Sequence, residues 1–193
     1  MAIRFAKAAF ISLALASASL VGVANAQPPA AAAKPPEFAV INLESEVINK
    51  PAADVWARIG KYCDLGEWLR VPCTISAGKD GEVGTVRSIA NGAVIEVLVS
   101  KTPLSYTYAQ PRAANSYHGS TEVRPVTPTT SKIVYTIFWD QSALADQAAK
   151  DRDRANRTNQ FTTAVANMKI IAEGGTLPPA PARGGGRGGG RGG

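Results

Sequence analysis

The sequence predicts an α+β domain in which an antiparallel sheet of seven strands is closed by one long C-terminal helix. Three observations predict it. Strand-like segments follow one another from Gly84 to Asp140 with no helix between them. A single amphipathic segment of helical period follows, from Ser142 to Ala172. Two short helical stretches, punctuated by Pro51, Gly60 and Pro72, lie between the first strand-like segment and the rest.

The first strand is Phe38 to Ile48. Val40 and Ile48 share one parity and Ile41, Leu43 and Val47 the other, so both of its faces are partly buried. Asn49-Lys50-Pro51 stops it, and Pro51 suits the first turn of a helix because its missing N–H has no intrahelical partner there. Val55, Trp56 and Ile59 are spaced for one buried face before Gly60 ends that helix. A further helical turn, about Tyr62 to Leu69, carries Leu65, Trp68 and Leu69 and stops at Pro72. Thr74 to Ala77 is a short strand followed by the turn Gly78-Lys79-Asp80-Gly81. Thr85 to Ala90 and Ala93 to Lys101 form the clearest hairpin. Asn91-Gly92 is a preferred two-residue turn, both positions needing positive φ. That turn fixes the register: Ala90 faces Ala93, Ile89 faces Val94, and Arg87 faces Glu96. Leu104 to Ala109, Tyr117 to Arg124 and Lys132 to Asp140 complete the sheet, with loops at Pro111 to Ser116 and Pro125 to Thr130. Ser142 is a favourable N-cap for the last helix and Gly174-Gly175 its stop. Leu144, Ala148, Phe161, Val165, Met168 and Ala172 make its apolar stripe. The run Lys150 to Arg157, with Asp151–Arg154 and Asp153–Arg157 pairs, reads as its solvated face.

Not all of the 193 residues belong to this domain. Met1 to Ala26 reads as a cleaved secretory signal: Arg4 and Lys7, an uncharged apolar run from Ala8 to Val23, then the small residues of Ala24-Asn25-Ala26. The apolar run is shorter than the ~20 residues a spanning helix needs. Residues 27–37 form a Pro/Ala-rich linker, the domain spans 38–174, and 175–193 is a Pro/Gly/Arg tail. The formal charge of +6 is concentrated at these ends: without Arg4, Lys7, Arg183, Arg187 and Arg191, lysine plus arginine falls from 21 to 16 against 15 acids. So balanced a core argues against a specific nucleic-acid surface. The tail is similar to RNA-binding RGG segments, but three arginines without interleaved aromatics suit weak contact with anionic surfaces better. The chain's two cysteines, Cys63 and Cys73, read as a disulfide in an oxidising compartment. Free thiols and a metal pair are the alternatives, the latter disfavoured because no nearby histidine completes a site. The expectation is a periplasmic or secreted bacterial monomer with no cofactor and no metal.

The element order, with Ala53-Asp54-Val55-Trp56 opening the first helix, Trp68 closing the second, Gly84-Thr85-Val86-Arg87, Glu96-Val97-Leu98 and Ser116-Tyr117 at a strand start, resembles the helix-grip fold. That fold belongs to the SRPBCC superfamily, which includes START-like lipid-transfer domains, polyketide cyclases, the birch-pollen allergen and plant abscisic-acid receptors. The resemblance covers Phe38 to Ala172 and is nearest to exported bacterial members of the polyketide cyclase/dehydrase-like, lipid-transport branch. It implies a curved sheet wrapped around the last helix and an apolar cavity between them. In the abscisic-acid receptors the glutamate of the Glu-x-Leu motif and the tyrosine at the strand start line that cavity; these match Glu96 and Tyr117.

Strand alternation and helical spacing supply the other candidates for holding a small hydrophobic or amphipathic ligand. They are Arg87 beside Glu96, Tyr106, Phe138 and Asp140, with Phe161 and Val165 on the helix as the roof. Arg87 opposite Glu96 is either a structural cross-strand pair or an anchor for a polar head. No residue is assigned a catalytic role: His118, the sole histidine, has outward parity, and no nucleophile elbow, HExxH or phosphate loop is present. Cyclase-like members use pocket acids, which makes Glu96 or Asp140 the candidate base of an enzyme of that type. A filled core serving as an interaction module is the third possibility.

Overall fold

A computed structural model describes residues 34–179. The expected signal, most of the linker and the arginines of the tail lie outside the described residues. The elements run β1 (Phe38–Glu44), α1 (Ala52–Ile59), α2 (Leu65–Trp68), β2 (Cys73–Ala77), β3 (Val86–Ile89), β4 (Val94–Thr102), β5 (Ser105–Ala109), β6 (His118–Thr127), β7 (Thr130–Asp140) and α3 (Gln147–Ala172). This is the helix-grip arrangement. The seven strands form one antiparallel sheet in the order β1-β7-β6-β5-β4-β3-β2. Strands β2 to β7 are a meander of neighbours, and β1 joins the free edge of β7. The chain therefore leaves one edge of the sheet after β1 and re-enters at the other with β2. The segment carrying α1 and α2 must cross the sheet's inner face to do so.

The core is the layer between that face and the helices. Ile41, Leu98, Val123, Ile133 and Ile137 come from the sheet, and Val55, Ile59, Leu65, Met168 and Ile171 from the helices, all buried. Apolar burial of this kind contributes about 25 cal/mol per Å². The hairpin register follows from its turn: Ile89 pairs with Val94 and Arg87 with Glu96. Ala90 joins Asn91 and Gly92 at positive φ, one residue more than the two-residue turn requires.

Four boundaries differ from the sequence reading. β1 ends at Glu44 because Ser45 Oγ accepts the Ile133 N–H at 3.0 Å; Ile48 returns only as an isolated bridge to Ser131. α2 is a single turn, since Cys63 is drawn into the disulfide. The expected loop from Pro125 to Thr130 is mostly strand, with a bulge between Pro125 and Thr127. Pro125 is tolerated there because β5 pairs only as far as Glu122, leaving β6 with one neighbour. α3 begins at Gln147, capped by Asp146, whose carboxylate accepts the Ala149 N–H at 2.7 Å. Ser142 does not cap it; its N–H and hydroxyl both donate to Asp140.

Three contacts seat α2 over the sheet. The Cys63–Cys73 disulfide ties its approach to β2, with Cα atoms 5.5 Å apart. Arg58 donates two bonds to the Glu67 carboxylate, at 2.8 and 2.7 Å. Asn167 of α3 donates to the Trp68 carbonyl at 2.9 Å. The disulfide closes a loop of 10 residues in sequence, worth about 2.5 kcal/mol of unfolded-state entropy. Cys63→Ser/Cys73→Ser should lower the urea-unfolding free energy by about that amount; an unchanged midpoint would show that the bridge carries no stability.

Candidate ligand cavity

A cavity of about 340 Å³ opens between α2, the β3–β4 hairpin and the middle of α3. Strand alternation sends Arg87 and Ile89 from β3, and Glu96 from β4, to the inner face. Tyr108 reaches it from β5 and Tyr135 from β7. Directly across from Tyr108 stands Gly119. A Cβ there would collide with the Tyr108 ring and hydroxyl, so this glycine makes room for the tyrosine. The Tyr108 and Tyr135 hydroxyls then meet at 2.6 Å. Trp68 and Leu65 of α2 form the opposite wall. Phe161 of α3 is the roof, stacked on Tyr135 with ring centroids 4.9 Å apart.

The charged pair lies in the wall. Arg87 and Glu96 side chains are 1% and 5% exposed. Arg87 Nε donates to Glu96 Oε2 at 2.8 Å and a terminal nitrogen approaches the same oxygen at 2.5 Å. Its other terminal nitrogen donates to the Tyr62 carbonyl. The guanidinium lies over the Tyr62 ring at 4.0 Å and the Tyr108 ring at 4.9 Å. Glu96 Oε1 accepts from Gln110 Nε2 at 2.9 Å. Both carboxylate oxygens are thus engaged, as a buried ion pair requires if it is not to be an uncompensated charge. Burial pushes the Tyr108 and Tyr135 hydroxyls well above their ordinary pKa. The Tyr117 hydroxyl is pushed up to about 12, again chiefly by burial. All three are neutral hydrogen-bonding groups at ordinary pH.

Of the residues singled out from the sequence, Arg87, Glu96, Tyr117 and Phe161 line this cavity. The other four do not. Tyr106 stands behind Arg87 and lines a separate hollow of about 180 Å³ with Tyr62, Trp56 and Leu98. Val165 is one helical turn beyond Phe161, about 6 Å along the axis, and faces a groove with Leu43 and Ser45. Phe138 and Asp140 point to the opposite face of the sheet. β7 carries apolar residues on both parities, and the buried inner set is Ile133, Tyr135, Ile137 and Trp139. Phe138 packs outside, between Phe38 at 5.0 Å and His118 at 5.3 Å. Asp140 accepts the backbone N–H groups of Ser142 and Glu37, which hold its carboxyl below the usual range. His118 faces outward, its Nδ1 2.7 Å from the Ser116 carbonyl oxygen.

The segment from residue 41 to residue 169, which contains every strand after β1 and the whole cavity, matches the family described as polyketide cyclase / dehydrase and lipid transport. The chain belongs to this family. No curated protein matches it. Among solved structures it is similar to a protein of Thermobifida fusca determined by NMR, at 18% identity and a TM-score of 0.56, covering 70% of this chain and 92% of that one. A protein of Nitrosospira multiformis aligns at 20% identity and a TM-score of 0.50, covering 68% and 96% respectively. These two likenesses show the shared fold.

Within this family member the cavity also uses Tyr135, Tyr108, Trp68, Gln110, Gln160 and Arg157, which the sequence candidates omitted. The inward face of Tyr135 is not legible from β7 alone and follows from its pairing with β6. Tyr135 lies directly opposite Thr121, and residues directly opposite in an antiparallel pair share a face. An inward Thr121 therefore demands an inward Tyr135. Arg157 was assigned to a solvated face, yet it is one turn before Phe161 and shares its side of the helix. Its partner Asp153 is half-buried, accepting from Trp139 Nε1 at 2.7 Å. Asp151 and Arg154 do not pair: Asp151 accepts from Gln147 and Arg154 donates to the Val40 carbonyl. Among the described residues no cluster of His, Cys, Asp and Glu is placed to hold a metal ion.

The buried pair yields a direct test. Glu96→Leu strands the Arg87 charge and should cost about 3–5 kcal/mol in urea unfolding. The double variant Arg87→Met/Glu96→Leu should recover most of that loss. Additive losses would mean that the two side chains are not energetically coupled.

Proposed function

We propose that the chain is an exported binding or carrier protein for a small hydrophobic or amphipathic molecule, held between the sheet and α3. The observation that supports this most strongly is the cavity of about 340 Å³, within the size range of small-molecule pockets. Its walls combine apolar and aromatic side chains with a few oriented polar groups, as such pockets do. The family description, which includes lipid transport, points to the same class of ligand. Binding is driven by apolar burial at about 25 cal/mol per Å². The Arg87–Glu96 pair and Gln110 supply a fixed polar wall.

Export is supported by two independent features. The first 26 residues have the composition of a secretory signal, and Cys63–Cys73 is a disulfide, a bond that persists in oxidising compartments. The carrier acts as a monomer, and its Arg/Gly tail makes weak contact with anionic surfaces.

A cyclase- or dehydratase-like reaction is the other activity in the family description. The two acids that would serve it are badly placed for that role. Glu96 has both oxygens committed to Arg87 and Gln110, and Asp140 is on the other face of the sheet. Geometry of this kind favours holding a molecule over taking a proton from it.

Val94 is half-buried at the rim, so a larger side chain there fills the cavity without removing a core contact. Native mass spectrometry of the protein purified from its own cells should show a discrete bound organic mass. Val94→Trp should abolish that mass while the far-ultraviolet circular dichroism is retained. A bound mass that survives in the folded Val94→Trp protein would exclude this cavity as the binding site.

A further inference from the structure

The cavity's one carboxylate is taken up by partners, whereas its mouth carries a cationic donor that no carboxylate fully occupies. Glu96 accepts from Arg87 and Gln110, and the Tyr108 and Tyr135 hydroxyls bond each other. At the mouth, Arg157 is held in place without being consumed. Its guanidinium lies 4.8 Å from the Trp139 ring centroid and 5.2 Å from that of Tyr117. Its Nε is bonded to Asp153 at 3.1 and 3.3 Å. Asp153 is itself fixed by Trp139 Nε1 and by Gln141 Nε2, the latter at 3.2 Å. Among the described residues, the terminal nitrogens of Arg157 have no carboxylate or carbonyl partner; their polar neighbour is the neutral Tyr117 hydroxyl. The side chain is 25% exposed, so these nitrogens form a preorganised fork at the boundary between cavity and solvent. Gln160, one residue short of Phe161, stands beside it in the cavity lining.

The charged and titratable groups around this fork are few. Asp153 on α3 faces Nε, Tyr117 next to β6 is neutral, and Arg87 and Glu96 in β3 and β4 neutralise each other. No acidic side chain lines the cavity except Glu96. A ligand head that offers more acceptors than donors therefore meets a complementary surface. A cationic head meets the same charge as its own.

We infer that Arg157 is the head-group receptor of this cavity and that the ligand is an amphipathic anion, its apolar body between Trp68 and Phe161 and its carboxylate or phosphate on the Arg157 fork. The inference rests on the cavity-binding reading above. A planar guanidinium suits either oxyanion, since both present two oxygens at the spacing of its parallel N–H groups.

The test compares probes of one chain length on the whole protein: decanoate, decyl phosphate, decanol and decyltrimethylammonium, titrated while tryptophan fluorescence is followed. Decanoate or decyl phosphate should bind at least about tenfold more tightly than decanol, the order expected for a charge-assisted hydrogen bond. The ammonium probe should be weakest. Whichever anion binds more tightly identifies the head group. In Arg157→Gln the anion preference should vanish while decanol affinity stays within about twofold, and Arg157→Lys should restore part of it. The unaltered protein provides a control free of any folding defect. Its preference for decanoate over decanol should be present at neutral pH and disappear as the pH falls through the carboxylate range, about 4. Equal binding of decanoate and decanol, or a preference that survives in Arg157→Gln, would overturn the head-group inference and leave the cavity reading standing. Failure of all four probes to bind would overturn both.

Discussion

The Arg87–Glu96 pair is the interaction on which the interior of this protein depends. The hairpin turn at Asn91-Gly92 sets a register that places the two side chains opposite each other, and strand alternation sends both inward. Two charges so fully buried are tolerable only if every hydrogen-bonding position is answered. The answers come from separate parts of the chain: the Tyr62 carbonyl before α2, the Gln110 side chain after β5, and the rings of Tyr62 and Tyr108. Satisfying the pair thus fixes where α2, β3, β4 and β5 sit relative to one another. It also forms the partition between the main cavity and the smaller hollow behind Tyr106.

The same pair shapes what the cavity can do. Its charges cancel, and its carboxylate is fully occupied, so the wall it forms is polar without being reactive. The open side is set by other constraints. The disulfide, the Arg58–Glu67 pair and the Asn167–Trp68 bond fix the position of the one-turn helix α2 over the sheet. Gly119 gives Tyr108 the room to reach Tyr135. The result is an unfilled space roofed by Phe161 where a collapsed core would otherwise form. Polar groups that matter for a guest are then those at the rim, where Arg157 and Gln160 project from α3.

Much of the fold was legible because the relevant signals are local. Asn-Gly between two alternating segments determines a hairpin and its register, and Pro51, Gly60 and Pro72 bracket the short helices. The boundary errors came from competition between side chains and main chain. Ser45 and Asp140 accept backbone N–H groups that propensity alone assigns elsewhere, so β1 stops early and Ser142 is diverted from capping α3. The site was legible where one strand pair sufficed, at Arg87 and Glu96. It was not legible on β7, whose apolar residues on both parities hide which face is inner. Only the pairing of Thr121 with Tyr135 resolves that. Arg157 escaped because a run of alternating charge on a helix usually faces solvent. Here the buried side chains of Trp139 and Gln141, from the end of β7, hold Asp153, and Asp153 in turn holds Arg157 at the cavity.

The central claim is that the space between Trp68 and Phe161 receives a guest. The three tryptophans, Trp56, Trp68 and Trp139, sample different surroundings and report on it separately. Trp68 lines the cavity and its indole N–H has no partner among the described residues. Trp139 donates to Asp153, and Trp56 lines the smaller hollow. The most direct measurement is a proton–nitrogen correlation spectrum of the indole resonances during titration with decanol. The account predicts a large, saturable shift of the Trp68 indole with the Trp56 signal unmoved. A shift confined to Trp56, or no shift at a concentration that saturates other apolar sites, would contradict it.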